Sequence, residues 1–324
     1  MKAVLHRRYG GPEVLQLGEL PRPEPGDDDV LIRVRAAEVT KGDCEMRSFR
    51  FAVKWFWLPL RLALGVFRPR RPVLGGYFAG TVEATGANVT RYSVGDNVFG
   101  SSKLLLGAYA QYLRVPSSYT IARMPANLSH EQAAAVPLGG LNALHFMRRA
   151  RVAPGETVLV NGAGGSIGSF AVQIARNQGA RVVAVDGAHK AAMLRDLGVE
   201  RVIDYAVEDF LDSGETYDVI FDMVAGSNYR GCVRALKPAG RYLKGNPRFL
   251  DLLRSGFTSA VSGKTVTVAF ARESQEELET LAQMLEAGDI APVIDRVYAM
   301  DNAAEAHRRV ESEQRLGIVV LRID

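Results

Sequence analysis

Val158-Leu159-Val160-Asn161-Gly162-Ala163-Gly164-Gly165-Ser166-Ile167-Gly168 carries an apolar run into a glycine turn, and Phe170-Ala171-Val172-Gln173-Ile174-Ala175 continues it with helical spacing. A strand, a glycine turn and a helix in that order bring backbone N–H groups to a helix N-terminus, where the helix dipole favours a pyrophosphate. Gly168 additionally lets helix and strand pack closely. Glycines alone make only a tight turn; the flanking periodicities and an acid at the right distance give this one its chemistry. Asp186 is that acid. It closes the next strand about 20 residues on, where a carboxylate accepts hydrogen bonds from adenosine ribose hydroxyls and so favours NAD(H). His189 and Lys190 stand on the other side of the balance, since they can neutralise the 2′-phosphate of NADP(H), and an Asp after a strand can simply cap a helix. The reading is a nicotinamide dinucleotide, NAD(P)H, with a lean to NADH.

The elements around this turn alternate. Strands are expected at Thr157–Val160, Arg181–Val185, Tyr217–Asp222 and Arg241–Leu243, and helices at Ile167–Asn177, Lys190–Leu197 and Tyr229–Leu236. That alternation is the signature of a doubly wound parallel sheet of the Rossmann type. Before it the chain reads as short strands and turns, from Ala3-Val4-Leu5 through Val30–Ala36 and Gly80–Ala84 to Ala108–Leu113, which makes a small barrel-like β domain. Ser129 and Gln132 have the spacing of a capping box that opens a helix, so the domain boundary falls near 120–130. After the strand Thr265–Ala269, the helices Glu276–Ala287 and Ala303–Glu311 and the strand Ile318–Leu321 return the chain to its first domain. The division is 1–124, 125–270 and 271–324.

Composition narrows the function classes. A chain of 324 residues, 47% hydrophobic and 23% charged, is an ordinary globular protein of about two domains. Its net charge is only +4, with arginines scattered along the sequence, which argues against nucleic acid. Cys44 and Cys232 are the only cysteines, too few and too far apart for a disulfide framework or a thiolate zinc cage. The N-terminus turns polar too early for a secretion signal, and the expectation is a cytoplasmic protein.

Several further segments, Val39-Thr40-Lys41-Gly42-Asp43, Leu74-Gly75-Gly76-Tyr77-Phe78-Ala79-Gly80, Gly95-Asp96-Asn97-Val98-Phe99-Gly100, Gly107-Ala108-Tyr109-Ala110-Gln111-Tyr112 and Val202-Ile203-Asp204-Tyr205, join the glycine turn in a pattern spread over nearly the whole chain. It resembles the medium-chain dehydrogenase/reductase superfamily, and the spacing of Gly162, Gly165 and Gly168 resembles its quinone reductase branch. The resemblance implies a GroES-like, partly open barrel as the substrate domain, beside the Rossmann domain. Zinc-dependent members bind their catalytic metal through Cys, His and Cys; here Thr40 and Gly76 stand at the first two positions and no Cys lies near Leu138, so no zinc is expected. Relatives usually carry Asp or Glu where this chain has Tyr77.

By the same resemblance, Thr40 and Asn142 lie near the nicotinamide, Val224 and Lys244 to Asn246 flank it, and Tyr205 packs by the adenosine half. Tyr77 either donates to the substrate oxygen or is a packed aromatic; Asp43 is structural. The candidate set is thus Thr40 and Tyr77 for catalysis, with Asn142, Gly162, Gly164, Gly165, Ser166, Ile167, Gly168, Asp186, Lys190, Tyr205, Val224 and Asn246 for the cofactor.

Without zinc ligands to polarise a carbonyl, reduction of a conjugated acceptor, a quinone or an α,β-unsaturated carbonyl, is the natural chemistry, because the developing charge spreads to a remote oxygen that hydrogen bonds can stabilise. A zinc-free alcohol dehydrogenase and a cofactor-binding protein with little catalysis are the alternatives. The apolar segment Phe51–Leu60, followed by Arg68, Arg70 and Arg71, reads as a lid over the substrate cleft, as a membrane-contact helix or as plain packing; the lid is favoured and membrane contact weighs least. Lys264–Phe270 resembles the edge strand through which relatives form homodimers.

Overall fold

The computed structural model describes residues 1–51 and 57–324. Alternating apolar residues build the long strand Asp29–Val39, one edge of which pairs antiparallel with Tyr77–Thr85. Its other edge is shared end to end by Tyr112–Pro116 and the C-terminal strand Ile318–Arg322. Asn97–Ser101 and Ile121–Arg123 extend this sheet on one side and Ile294–Ala299 on the other, so two strands from the end of the chain complete a sheet begun at residue 29. Phe78, Phe99, Leu31 and Ile32 are fully buried in this lobe, each contributing roughly 1.5–3 kcal/mol of burial.

Residues 157–268 form a six-stranded, wholly parallel sheet ordered Arg201–Asp204, Arg181–Asp186, Thr157–Asn161, Tyr217–Asp222, Leu236–Lys244, Thr265–Val268. In sequence order that is third, second, first, fourth, fifth, sixth, the doubly wound arrangement expected from the alternation of elements. The order reverses between Thr157–Asn161 and Tyr217–Asp222, and it is outside the carboxyl ends of strands at such a reversal that open α/β sheets bind ligands. Helices Ser166–Asn177, Pro137–Ala150 and Gln275–Glu286 pack together around Phe146, Phe170 and Leu281 on one face.

Two boundaries differ from expectation. The helix expected at Tyr229–Leu236 stops at Arg234, and the strand expected at Arg241 already starts at Leu236. Pro238 and Ala239, the latter at φ 59°, interrupt the apolar pattern, and the ladder to Tyr217–Asp222 shifts register there. Helix Phe249–Ser262 lies outside the expected elements; its only buried residue is Asp251, so its apolar stripe serves no core among the described residues. Helix Trp57–Leu64 likewise has no buried residue. The rest of the expected lid, residues 52–56, lies outside the described residues.

Ser129 and Gln132 form the reciprocal cap that their spacing predicts, and the short helix they open, His130–Ala134, packs on strands of the first lobe. Helices Lys41–Ser48 and Ala303–Glu311 are joined by the Arg47–Glu311 ion pair and by Cys44 Sγ, 3.3 Å from His307 Nδ1. Burial, then the nearby Arg47 and His6, hold His307 down to about 3, so this join uses a neutral imidazole.

Glu38, on strand Asp29–Val39, is the least expected polar group. Its side chain is fully buried and neither oxygen has a hydrogen-bond partner of good geometry. Burial pushes it up to about 8, against the opposing pull of the Ser166 hydroxyl and of Arg315, which brings a group of the first lobe against the opening residue of a helix in the second. Folded, Glu38 holds its proton more tightly than the usual 4.5, so its contribution is fully present below about pH 4.5 and drains away as pH rises to about 8. Glu38→Gln should therefore gain stability relative to the parent across that window, read as a difference in thermal unfolding midpoint that widens with pH; a constant difference would show that Glu38 does not titrate there.

Candidate active site

The glycine turn sits where the strand order reverses. Gly162 takes φ +86°, a conformation that disfavours any side chain, and Gly165 caps helix Ser166–Asn177. A Cβ on Gly168 would lie 2.2 Å from the Gly162 carbonyl oxygen and 2.6 Å from Ala163 Cα, so helix and turn can meet only over glycine. A Cβ on Gly165 would meet nothing closer than the Gly162 carbonyl at 3.7 Å. The space in front of Gly165 is open, and the first N–H groups of a helix, here those of Ser166 and Ile167, have no acceptor within it. A bare turn before a helix N-terminus, left open on one side, fits a pyrophosphate.

Asp186 holds this turn. Its carboxylate accepts from the Gly164 amide at 2.7 Å and the Gly187 amide at 2.8 Å, and pairs with Lys190 Nζ at 2.9 Å; both side chains are buried. Gly164 is itself packed by Lys190, whose Cδ would lie 2.4 Å from a Cβ there. Tyr205 follows the neighbouring strand, in which Asp204 pairs with Asp186, and its exposed ring stands beside Gly187.

Val224 faces the other side of the turn, its Cγ2 3.6 Å from a Cβ placed on Gly162. A buried network missed in the sequence fixes it. Asp222, fully buried at a strand end, accepts from the Val224 amide and Asn161 Nδ2, both at 3.0 Å, from the Tyr242 hydroxyl at 2.6 Å, and from Ser227. Lys244, also fully buried, donates to Ser227 at 3.0 Å and lies 3.4 Å from Asp251. Asn246 donates to the Met223 carbonyl at 2.7 Å, and Asn142 to the Leu138 carbonyl of its own helix at 2.9 Å.

The first lobe supplies Thr40 and Tyr77. Thr40 caps helix Lys41–Ser48: its hydroxyl donates to Asp43 at 2.7 Å and accepts from the Asp43 amide at 2.9 Å, while the other Asp43 oxygen accepts from the Gly75 amide at 3.0 Å. Asp43 is structural, and the only Thr40 proton is already spent. Tyr77 donates to Glu273 at 2.9 Å, and burial, then the Glu273 charge, push its phenol well above the usual range. A carboxylate thus reaches Tyr77 from residue 273, a proximity no local pattern announces. Gly76 offers no side-chain donor and Thr40 is engaged, so these residues do not fit a zinc ion, and among the described residues no other group of three His, Cys, Asp or Glu does. A cavity of about 740 Å³ beside helix Lys41–Ser48, lined by Tyr9, Lys41, Cys44, Arg47, Arg50 and Glu311 among others, includes none of the glycine-turn residues.

Gly165→Val should leave a folded protein that no longer binds a dinucleotide, whereas Gly168→Val should fail to fold. Circular dichroism with a fluorescence titration of NADH separates the two, and unchanged NADH affinity in Gly165→Val would remove the turn from the site.

Comparison with known proteins supports these lobes independently. Residues 26–126 match the alcohol dehydrogenase GroES-like domain and residues 197–321 the zinc-binding dehydrogenase family. The chain is 30% identical to the quinone oxidoreductase of Homo sapiens over 96% of its length and 94% of that protein's. The solved quinone oxidoreductase from Coxiella burnetii superposes with a TM-score of 0.86 at 27% identity, covering 100% of this chain and 99% of that one. A solved NAD-dependent alcohol dehydrogenase superposes at 0.85 with 28% identity, covering both chains fully. With its glycine turn, its GroES-like lobe and similarity running from end to end, the chain belongs to the quinone oxidoreductase family of the medium-chain dehydrogenases/reductases.

Proposed function

We propose that the protein reduces a quinone or an α,β-unsaturated carbonyl, with NADH as the preferred donor. The observation that carries this reading is the bare Gly162–Gly168 turn at the strand reversal, within a chain that also brings Thr40 and Tyr77 from the first lobe. When bound, a nicotinamide dinucleotide supplies the hydride. The residues that would hold it are the Ser166 and Ile167 amides and Gly165 at the pyrophosphate, Asp186, Lys190 and Tyr205 at the adenosine half, and Ile167, Asn142, Val224 and Asn246 at the nicotinamide.

The preference for NADH rests on what Asp186 and Lys190 already do. Two amides and an ammonium leave the carboxylate room for a ribose hydroxyl, whereas a 2′-phosphate would meet a carboxylate whose neighbouring cation is already neutralised. NADPH should bind at least about ten-fold more weakly than NADH, about 1.4 kcal/mol. Asp186→Asn, which releases Lys190, should narrow or reverse that ratio in paired titrations; an unchanged ratio would mean that Asp186 does not discriminate.

On the acceptor side, negative charge develops on the substrate oxygen and calls for a hydrogen-bond donor. Thr40 has none to give, so its part is to hold Asp43 and the Gly75 amide in place. Tyr77 can turn its hydroxyl from Glu273 to the substrate oxygen; because its phenol holds its proton so firmly, it stabilises charge as a donor while solvent supplies the proton. Tyr77→Phe should lower kcat/KM for a quinone by about ten-fold or more without changing NADH affinity. Equal turnover would leave Tyr77 as a packed aromatic. The first assay is NADH oxidation with a quinone and with an enone, with and without chelator. Chelator-insensitive turnover is expected; alcohol oxidation alone would favour the dehydrogenase alternative, and tight binding without turnover a non-catalytic protein.

We further propose a homodimer and a cytoplasmic location. Thr265–Val268 is the open edge of the six-stranded sheet, and helix Phe249–Ser262 beside it exposes Leu250, Leu253, Phe257 and Val261; a twofold pairing would cover both. Phe257→Glu should shift the mass measured by light scattering from dimer to monomer, and a parent that is itself monomeric would overturn the pairing. Both thiols are free and buried, in keeping with a reducing compartment.

A further inference from the structure

Helix Trp57–Leu64 and the turn after it present an apolar face that the rest of the described chain leaves uncovered. Phe67 is 93% exposed, Leu58 60% and Leu62 56%, with Trp57 and Val66 also in solvent. The inner side is anchored: the Arg61 guanidinium stacks over the Tyr9 and Phe49 rings, Trp57 meets Phe49 edge-on, and the Tyr9 hydroxyl donates to the Gly65 carbonyl at 2.8 Å. Plain packing, one of the readings of this segment, does not account for its described part, whose apolar side is exposed.

What surrounds the face decides what covers it. Between Glu45 and Glu83 the sequence contains no acidic residue and seven basic ones, while the remainder of the chain carries more acids than bases. The arginines that look scattered along the sequence therefore concentrate the whole positive excess in this segment. Arg68, Arg70 and Arg71 are exposed beside Phe67, and none of them pairs with a carboxylate among the described residues. Arg70 is braced by the Ala63 carbonyl at 3.5 Å and Arg71 by the Leu105 carbonyl at 2.7 Å, so the cations form a fixed rim. The exposed stripe on helix Phe249–Ser262 has only Arg248 and Arg254 in solvent, a turn and a half apart rather than clustered, and it adjoins an open sheet edge, which suits a second copy of the chain instead.

We propose that the face made by Trp57, Leu58, Leu62, Val66 and Phe67, with its Arg68–Arg71 rim, docks on the surface of an anionic phospholipid bilayer. Bulky apolar side chains enter the boundary between headgroups and acyl chains, and guanidiniums pair with the lipid phosphates. No helix among the described residues is long and apolar enough to cross a membrane, so the contact is peripheral. Docking needs neither cofactor nor acceptor, which keeps vesicle binding and turnover separate as readouts.

Both tryptophans of the chain, Trp55 and Trp57, lie in this segment, so its intrinsic tryptophan fluorescence reports on nothing else. The full-length protein should cosediment with vesicles of phosphatidylcholine and phosphatidylglycerol at least about ten-fold more strongly than with phosphatidylcholine alone, lose that binding as salt rises, and be quenched by brominated acyl chains. The exposed triple variants Leu58→Ser/Leu62→Ser/Phe67→Ser and Arg68→Gln/Arg70→Gln/Arg71→Gln should each lower binding by about ten-fold or more at unchanged thermal stability and NADH affinity. Equal binding to both vesicle types, no binding, or no quenching would overturn the proposal. So would a serine variant that changes the oligomeric state of a protein that ignores vesicles, which would make the face a contact between copies.

Discussion

One buried carboxylate sets the shape of the crevice at the glycine turn. Asp186 is bonded to the amide of the glycine turn, to the amide that follows its own strand and to a lysine one helical turn on, and these three contacts join two neighbouring strand ends. A turn that must stay bare to receive a ligand cannot be held by side chains of its own, so it is held from behind. Asp222 does the same for the opposite wall, gathering Asn161, the Val224 amide, Tyr242 and Ser227 around one fully buried side chain. Each carboxylate terminates a strand, and the two flank the place where the strand order reverses. Such networks cost desolvation and return geometry, since each acceptor left empty would be penalised.

The first lobe is arranged on the opposite plan. Its hydroxyls are engaged before any substrate arrives, Thr40 with Asp43 and Tyr77 with Glu273. Thr40 is locked by two reciprocal bonds, whereas Tyr77 has one partner and can exchange it. Glu38 adds another buried acid at the seam of the lobes, near Ser166, the residue that opens the helix after the glycine turn.

Much of this was legible in the sequence because it is local. The glycine turn, the strand and helix periods around it, the acid about 20 residues on and the Ser129–Gln132 cap are all short-range patterns, and short-range sterics and hydrogen bonding enforce them. What escaped depends on distance along the chain or on orientation. Glu273 reaches Tyr77 across 196 residues, and a carboxylate at residue 273 carries no mark of it. Lys190 could be read as a phosphate ligand or as a bystander until its ion pair with Asp186 was seen. Glu38 did leave a trace, as a lone acid in the apolar run Ala36-Ala37-Glu38-Val39. Helix Phe249–Ser262 escapes because its apolar residues point outward, and an outward stripe looks the same in sequence as one that faces a core.

The two cysteines bear on how such a protein survives its own chemistry. Quinones and enones are electrophiles, and the nucleophile they consume in proteins is the thiolate. Cys44 lies under helix Ala303–Glu311 and Cys232 in the parallel-sheet lobe; burial pushes Cys232 up to about 12 and Cys44 higher still. Neither presents a thiolate at neutral pH, and both are buried, Cys44 in the wall of the cavity beside helix Lys41–Ser48. A chain whose acceptors are electrophiles thus keeps its own thiols in their less reactive, protonated form.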